Sequence, residues 1–176
     1  MATVTEKTAI PTGIWKSDPV HSTVGFSVKH MVVATFRGSF ADFGVTLDNS
    51  GGEPVLYGAV RVDSVDVRDE KLNGHLLSPD FFDAEQFPRV SFESTSIVRD
   101  GEIITVEGEL ELRGVKLPVT LTGSIFGPVG EKIGLELETT IDRTSFGMNW
   151  QMELPNGVNA LDNEVTLTAH LELAKA

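Results

Sequence analysis

The sequence predicts an all-β protein, a closed barrel of eight strands with one or two short helices inserted between the third and fourth. Three observations carry this. Strict apolar/polar alternation returns about eight times, and successive strand side chains point to opposite faces, so each run is a ribbon with one dry and one wet side. Residues 68–87 are the single helical interruption, with Leu72, Leu76 and Leu77 at helical spacing. A length of 176 residues suits one undivided β-barrel with a core large enough to need no staples.

The elements follow in order. Residues 1–12 are polar, with no apolar run or small-residue cleavage site of a secretory signal, and are expected to form a flexible tail before a single domain over 13–176. Trp15 is placed to cap one barrel end. The first strand runs from Val20 to His30, with Val24, Phe26, Val28 and His30 on one face. In the second, Phe36 to Leu47, the apolar parity changes from Phe36/Phe40 to Phe43/Val45/Leu47, which predicts a bulge or bend near Asp42. A polar turn at 48–52 leads to the third strand, Val55 to Val67.

The helical segment follows, where Ser78-Pro79-Asp80 reads as a stop and a new start, and Pro88 ends it. The fourth strand, Arg89–Val98, turns at Asp100-Gly101 into the fifth, where Ile104, Val106, Leu110 and Leu112 oppose Thr105, Glu107, Glu109 and Glu111. After Arg113-Gly114 the sixth strand places Val115, Leu117, Val119, Leu121 and Ile125 on one side. The seventh spans Ile133–Ile141, residues 143–159 are irregular, and the eighth spans Leu161–Leu173.

Composition removes several function classes. The chain has no cysteine, so disulfides, thiolate metal sites and cysteine nucleophiles are excluded. A formal charge of −12 argues against nucleic acids and anionic membrane surfaces. No apolar stretch reaches membrane-spanning length, so no membrane insertion is expected, and the chain reads as cytoplasmic. His21 and His30 fall on opposite strand faces and would not share a metal; no metal-binding, nucleophile-elbow or phosphate-loop motif is present.

The inward parity of all eight strands is almost wholly Val, Leu, Ile and Phe, with His30 the evident polar intruder. A packed core is one reading. A hollow is the other, because the aromatics gather at strand ends and connections, in Phe36/Phe40/Phe43, Phe81/Phe82/Phe87 and Phe146/Trp150. An aliphatic tube with an aromatic mouth suits a long, greasy ligand. Each buried methylene contributes about 0.8 kcal/mol, so ten carbons give roughly 8 kcal/mol before ordering costs, without any strong polar contact. His30 reads equally as a strand-end structural residue or as a group meeting a ligand head at the mouth. Arg143 reads as a surface or loop-bracing ion pair, Arg37 as a solvated strand arginine.

Ordered motifs along most of the chain resemble one family. They are Trp15-x-x-Asp18-x-x-His21-Ser22, Val24-x-Phe26-x-Val28-x-His30, Arg37-Gly38-x-Phe40, and His75-Leu76-x-Ser78-x-Asp80-Phe81-Phe82-Asp83. Phe87-Pro88, Val90-x-Phe92-x-Ser94, Gly108-x-Leu110-x-Leu112-x-Gly114-Val115 and Ile141-Asp142-Arg143-x-x-Phe146-Gly147-Met148 continue the series. Together they resemble the YceI-like proteins; Ser64-Val65-Asp66-Val67 departs from the family's usual Ser-Ile-x-Thr. The resemblance implies an antiparallel, lipocalin-like barrel holding amphiphiles such as polyisoprenoids or isoprenoid quinones, with fatty-acid amides as an alternative cargo, and a homodimer. It supplies no catalytic residues.

The expected function is therefore binding, storage or transport of a long-chain isoprenoid lipid, with no cofactor beyond that ligand. The alternatives are an enzyme acting on a lipid or small ester at the mouth, with His30 or His21 as base, and an interaction domain with a solid core. The residues expected to contact the ligand are Phe26, Val28, His30, Met31, Phe36, Phe40, Leu76, Phe81, Phe82, Val106, Leu121, Phe146 and Trp150. No catalytic residue and no metal ligand is expected.

Overall fold

The eight expected ribbons account for ten strand segments, because two of them are broken by bends, and an unexpected strand precedes them; the computed structural model describes residues 8–176. The unexpected strand is β1 (Gly13–Ser17), where only Trp15 as a cap is expected; the first ribbon is β2 (Thr23–His30), and the second is β3 (Ala34–Phe40) with β4 (Phe43–Asn49). The third is β5 (Val55–Arg61) with the short β6 (Val65–Asp66). Then come the helix α1 (Glu70–Leu77), β7 (Arg89–Asp100), β8 (Ile103–Leu112), β9 (Val115–Val129), β10 (Lys132–Asp142) and β11 (Leu161–Lys175).

Every ladder is antiparallel. The ring runs β1-β4-β5-β7-β8-β9-β10-β11 and closes on β1 through Trp15↔Lys175. The predicted break near Asp42 is present: Ala41 and Asp42 lie between β3 and β4, and both donate their N–H groups to Ser64, at 3.0 Å each. This bend has a consequence at the other end of the barrel. There β2 continues beside β11, β3 pairs with β2, and only Ser39 and Phe40 reach β6. No ladder joins β3 to β7, and α1 with the segment after it occupies that side.

The helix begins where Asp69 accepts the N–H of Leu72 at 2.9 Å, an N-cap that satisfies one orphan donor. Ser78 ends it, its hydroxyl donating to the His75 carbonyl at 2.6 Å, with Pro79 next. Of the one or two helices expected, this is the α-helix; residues 78–87 run on as turns tied back by Phe82 N–H to Leu76 O and Phe87 N–H to Asp83 O. The irregular stretch after β10 opens with a 3₁₀ turn, Arg143–Phe146.

The interior has two unlike halves. At the β1 end, Trp15, Leu47, Ile104, Val106, Ile125, Ile133, Leu135 and Leu173 interlock and are all but inaccessible. Trp15 closes that end as expected, its indole N–H donating to Thr12 O at 3.2 Å. Residues 1–7 of the expected tail lie outside the described residues. Its remainder lies on this end of the barrel, where Ile10 is buried and its carbonyl accepts from the Asn49 amide at 2.8 Å. At the other end a second cluster, including Phe26, Phe40, Leu76, Phe81, Leu112, Ile141 and Phe146, surrounds a hollow. One glycine helps to shape it. Gly38 pairs with Phe26, and a Cβ there would lie 2.4 Å from the Phe26 ring, so only glycine leaves the ring its place.

Candidate functional site

The hollow at the α1 end has a volume of about 450 Å³, within the roughly 300–1,000 Å³ usual for small-molecule sites. Its wall is built from inward positions of β2 (Phe26, Val28, His30), β3 (Phe36, Phe40), β8 (Leu112), β10 (Ile141) and β11 (Leu161, Val165, Leu167). From α1 and the turns after it come Leu72, His75, Leu76, Phe81 and Phe82; Met148 and Trp150 follow from the irregular segment. A second chamber of about 150 Å³ adjoins it farther in, with Phe40, Val90 and Leu167 standing in the wall of both. Its floor includes Leu56, Leu137 and Leu171, which belong to the solid end. Along β11 the lining thus extends from Leu161 to Leu171, eleven residues or about 30 Å of strand.

A larger hollow, of about 830 Å³, lies on the outer face of β4, β5, β7 and β8, but it is an open trough with Arg61, Arg89, Glu93, Glu109, Glu111 and Lys116 along it. Its polar walls give an apolar ligand no advantage over water.

Two aromatic groups frame the inner site. Phe26 packs against Phe36, Phe40 and Phe82 with centroids 5.7–6.4 Å apart across this cluster. On the other side His75, Phe81 and Trp150 meet at 4.9–5.3 Å, joining α1 to the irregular segment. His75 is also held from outside by Asp80, 3.0 Å from its Nε2. The site opens to solvent along the β2–β3 hairpin, where the wall residues His30, Ala34 and Thr35 are exposed.

Two arginines hold this collar in shape. Arg143 is buried, 2% exposed, which corrects its reading as a surface residue or ion pair. Its guanidinium donates to Asp162 O (2.9 Å), Met148 O and Trp150 O (both 2.8 Å), and Asn163 Oδ1 (3.3 Å), so it braces the loop through carbonyls. Burial pushes its pKa down from the ordinary arginine value, opposed by the nearby Asp142 and Asp162 carboxylates. Arg113, on the β8–β9 hairpin, donates to Gly147 O and to Pro79 O, linking the two segments that flank the mouth. With most of its donors spent on the backbone, Arg143 offers the cavity a fixed wall and little free hydrogen-bonding capacity.

Most of the residues expected to contact a ligand meet here. Phe26, Val28, His30, Phe36, Phe40, Leu76, Phe81, Phe82 and Trp150 line the main cavity, and Leu121 lines the inner chamber. Three lie elsewhere. Val106 is fully buried in the solid half, Phe146 packs behind the wall, and Met31 sits at the hairpin tip with its N–H on Ala160 O. Parity along a strand tells inside from outside but not the hollow half from the filled half. Sequence reasoning missed Leu72 and His75 on α1, though Leu72 and Leu76 carried the helical spacing that puts them on one face. It also missed Met148 and Arg143, whose inward placement depends on a 3₁₀ turn that no periodicity announces.

His21 is not at the mouth. It lies on the outer surface toward the closed end, Nδ1 2.8 Å from Asp18 Oδ2 and 3.3 Å from Glu172 Oε2. Its hydrogen bond to Asp18, and then the charges of Asp18 and Glu172, hold its pKa above the ordinary histidine value. That removes one of the two bases considered for a catalytic mouth.

Fold and cavity together define a lipocalin-like barrel, sealed at one end and hollow and oily at the other. The chain belongs to the YceI-like family, whose domain profile matches residues 15–173. It is 30% identical over 136 residues to protein YceI of Escherichia coli O157:H7, spanning 73% of this chain and 71% of that one. It is 27% identical to the UPF0312 protein SA2479 of Staphylococcus aureus, over 89% and 95% of the two chains. Among solved structures, Burkholderia cenocepacia BcnA superposes with a TM-score of 0.77 at 21% identity, covering 90% of this chain and 99% of its own. A polyisoprenoid binding domain from Saccharophagus degradans gives 0.72 at 12% identity, covering 94% and 100%.

Proposed function

We propose that the protein binds a long-chain isoprenoid lipid in its barrel and stores or carries it without chemical change. The observation that supports this reading is the apolar lining of two adjoining chambers, from Leu161 in the outer one to Leu171 in the inner one. Such a lining favours an extended hydrocarbon by about 0.8 kcal/mol per methylene and gives a small polar metabolite almost no partner. Membership of the YceI-like family, and the name of the Saccharophagus domain that shares the fold, support the same class of cargo.

The test is organic extraction of freshly purified protein followed by mass spectrometry, with titration of the emptied protein by polyprenyl compounds. An isoprenoid in the extract and saturable uptake are expected. Several preparations that yield no lipid and take up none would overturn the reading. The His30→Ala variant separates a carrier from an enzyme, because a carrier keeps most of its binding and has no turnover to lose.

A further inference from the structure

We propose that the tip of the β2–β3 hairpin docks on the face of a zwitterionic phospholipid bilayer, setting the cavity mouth against the membrane. This rests on the cavity being a lipid site. A three-residue connection, Met31-Val32-Val33, links His30 to Ala34. Such connections favour Gly, Asn or Asp, which tolerate a left-handed backbone. Here Met31 and Val32 hold φ of 55° and 66°, and a branched side chain is poorly suited to that region. Val32 and Val33 are 69% and 86% exposed. Folding gains nothing from either choice.

The position of the tip supplies the missing reason. His30, Ala34 and Thr35, which flank it, are exposed wall residues of the cavity. Met152, 50% exposed, adds to the same rim: Met31 N–H donates to Ala160 O, and Ala160 N–H to Met152 O, both at 2.8 Å. Residues 31–36 carry no formal charge and lie between the exposed cations Lys29 and Arg37, which suit a headgroup phosphate, while the −12 of the whole chain opposes an anionic surface and leaves a zwitterionic one as the match. A few side chains fall far short of the roughly 800 Å² per partner that a stable protein interface needs. A bilayer requires only apolar groups that reach its interfacial layer. No helix among the described residues is long and apolar enough to cross a membrane.

The absence of cysteine permits single-site labelling. Val33→Cys and, at the opposite end of the barrel, the 79%-exposed Val129→Cys would each carry an environment-sensitive fluorophore. With phosphatidylcholine vesicles, the label at 33 is expected to brighten and shift to the blue while that at 129 does not. The double variant Val32→Asn/Val33→Ser, which suits the turn, is expected to keep or raise its melting temperature. It should co-float with the same vesicles about tenfold less than the parent, the loss expected from removing one or two apolar side chains.

A silent label at 33, an equal response at 129, or undiminished flotation of the double variant would overturn the proposal. So would self-association of the parent that the double variant abolishes, since the tip would then be a protein contact. Flotation needs no cargo, and uptake of a polyprenyl probe from detergent micelles needs no bilayer. Failure of the first therefore counts against docking alone, and failure of the second against the cavity reading alone.

Discussion

His75 stands edge-on to Trp150, ring centroids 5.1 Å apart and planes at 89°, and this contact joins α1 to the segment after β10 in the cavity wall. Trp150 also meets Phe81 at 5.3 Å. Aromatic pairs of this kind contribute about 0.5–1.5 kcal/mol each beyond their burial. Trp150→Ala should therefore release a bound fluorescent polyprenyl probe roughly tenfold faster in stopped-flow displacement, and Trp150→Phe should recover part of the difference. Equal off-rates would show that these rings do not gate the cavity.

Arg143 makes a second prediction. Replacing it with Met leaves the carbonyls of Met148, Trp150 and Asp162 without their donor in a dry setting. The cost is about 3–5 kcal/mol, or a fall in melting temperature on the order of 10 °C, measured by calorimetry. Arg143→Lys should rescue little, because one ammonium does not reproduce the planar fork.

Leu167 lines both chambers, so a larger side chain there fills space at their junction. Leu167→Trp is expected to block uptake of long-chain probes while stabilising the empty protein by about 0.5–2 kcal/mol in urea unfolding. A variant that is more stable but binds as before would place the ligand elsewhere.

Two carboxylate substitutions should behave differently although both positions have inward parity. Val106 is 0% exposed in the solid half, and Val106→Asp should leave no folded protein by circular dichroism. Leu121 lines the inner chamber, where a carboxylate meets space. Leu121→Asp should fold and lose apolar ligand binding.

The Asp18–His21 pair predicts a pH window. The hydrogen bond from His21, followed by that from the Val20 N–H, holds the Asp18 pKa below its ordinary 3.8, and the same bond raises that of His21 above 6.5. The His21 contribution is complete below 6.5 and is lost as pH rises through its folded value; the Asp18 contribution is complete above 3.8 and is lost as pH falls through its folded value. The melting-temperature difference between wild type and His21→Ala should thus be largest between these limits and vanish in alkali. Both groups are at the surface, so added salt should shrink it.

Much of this architecture was legible in the sequence because strand alternation is local. The parity change between Phe40 and Phe43 announced the bend, and Arg113-Gly114, with φ of 54° and 73°, announced the tight β8–β9 hairpin. What alternation cannot carry is depth along the barrel axis. Val106 and Leu121 face each other across the β8–β9 ladder, yet one is locked in solid packing and the other borders a chamber. Arg143 was misread for a related reason: an arginine next to Asp142 looks like an ion pair until a 3₁₀ turn swings it under three carbonyls.

The uneven filling of the barrel divides labour between its ends. Cohesion resides around Trp15, Leu47 and Leu135, out of reach of any guest. The chamber walls can therefore be re-tailored by substitution at less risk to the scaffold than the packed end. For an engineer this contrast marks the Val165–Leu167 wall as the region to randomise and the Trp15 end as the region to leave alone.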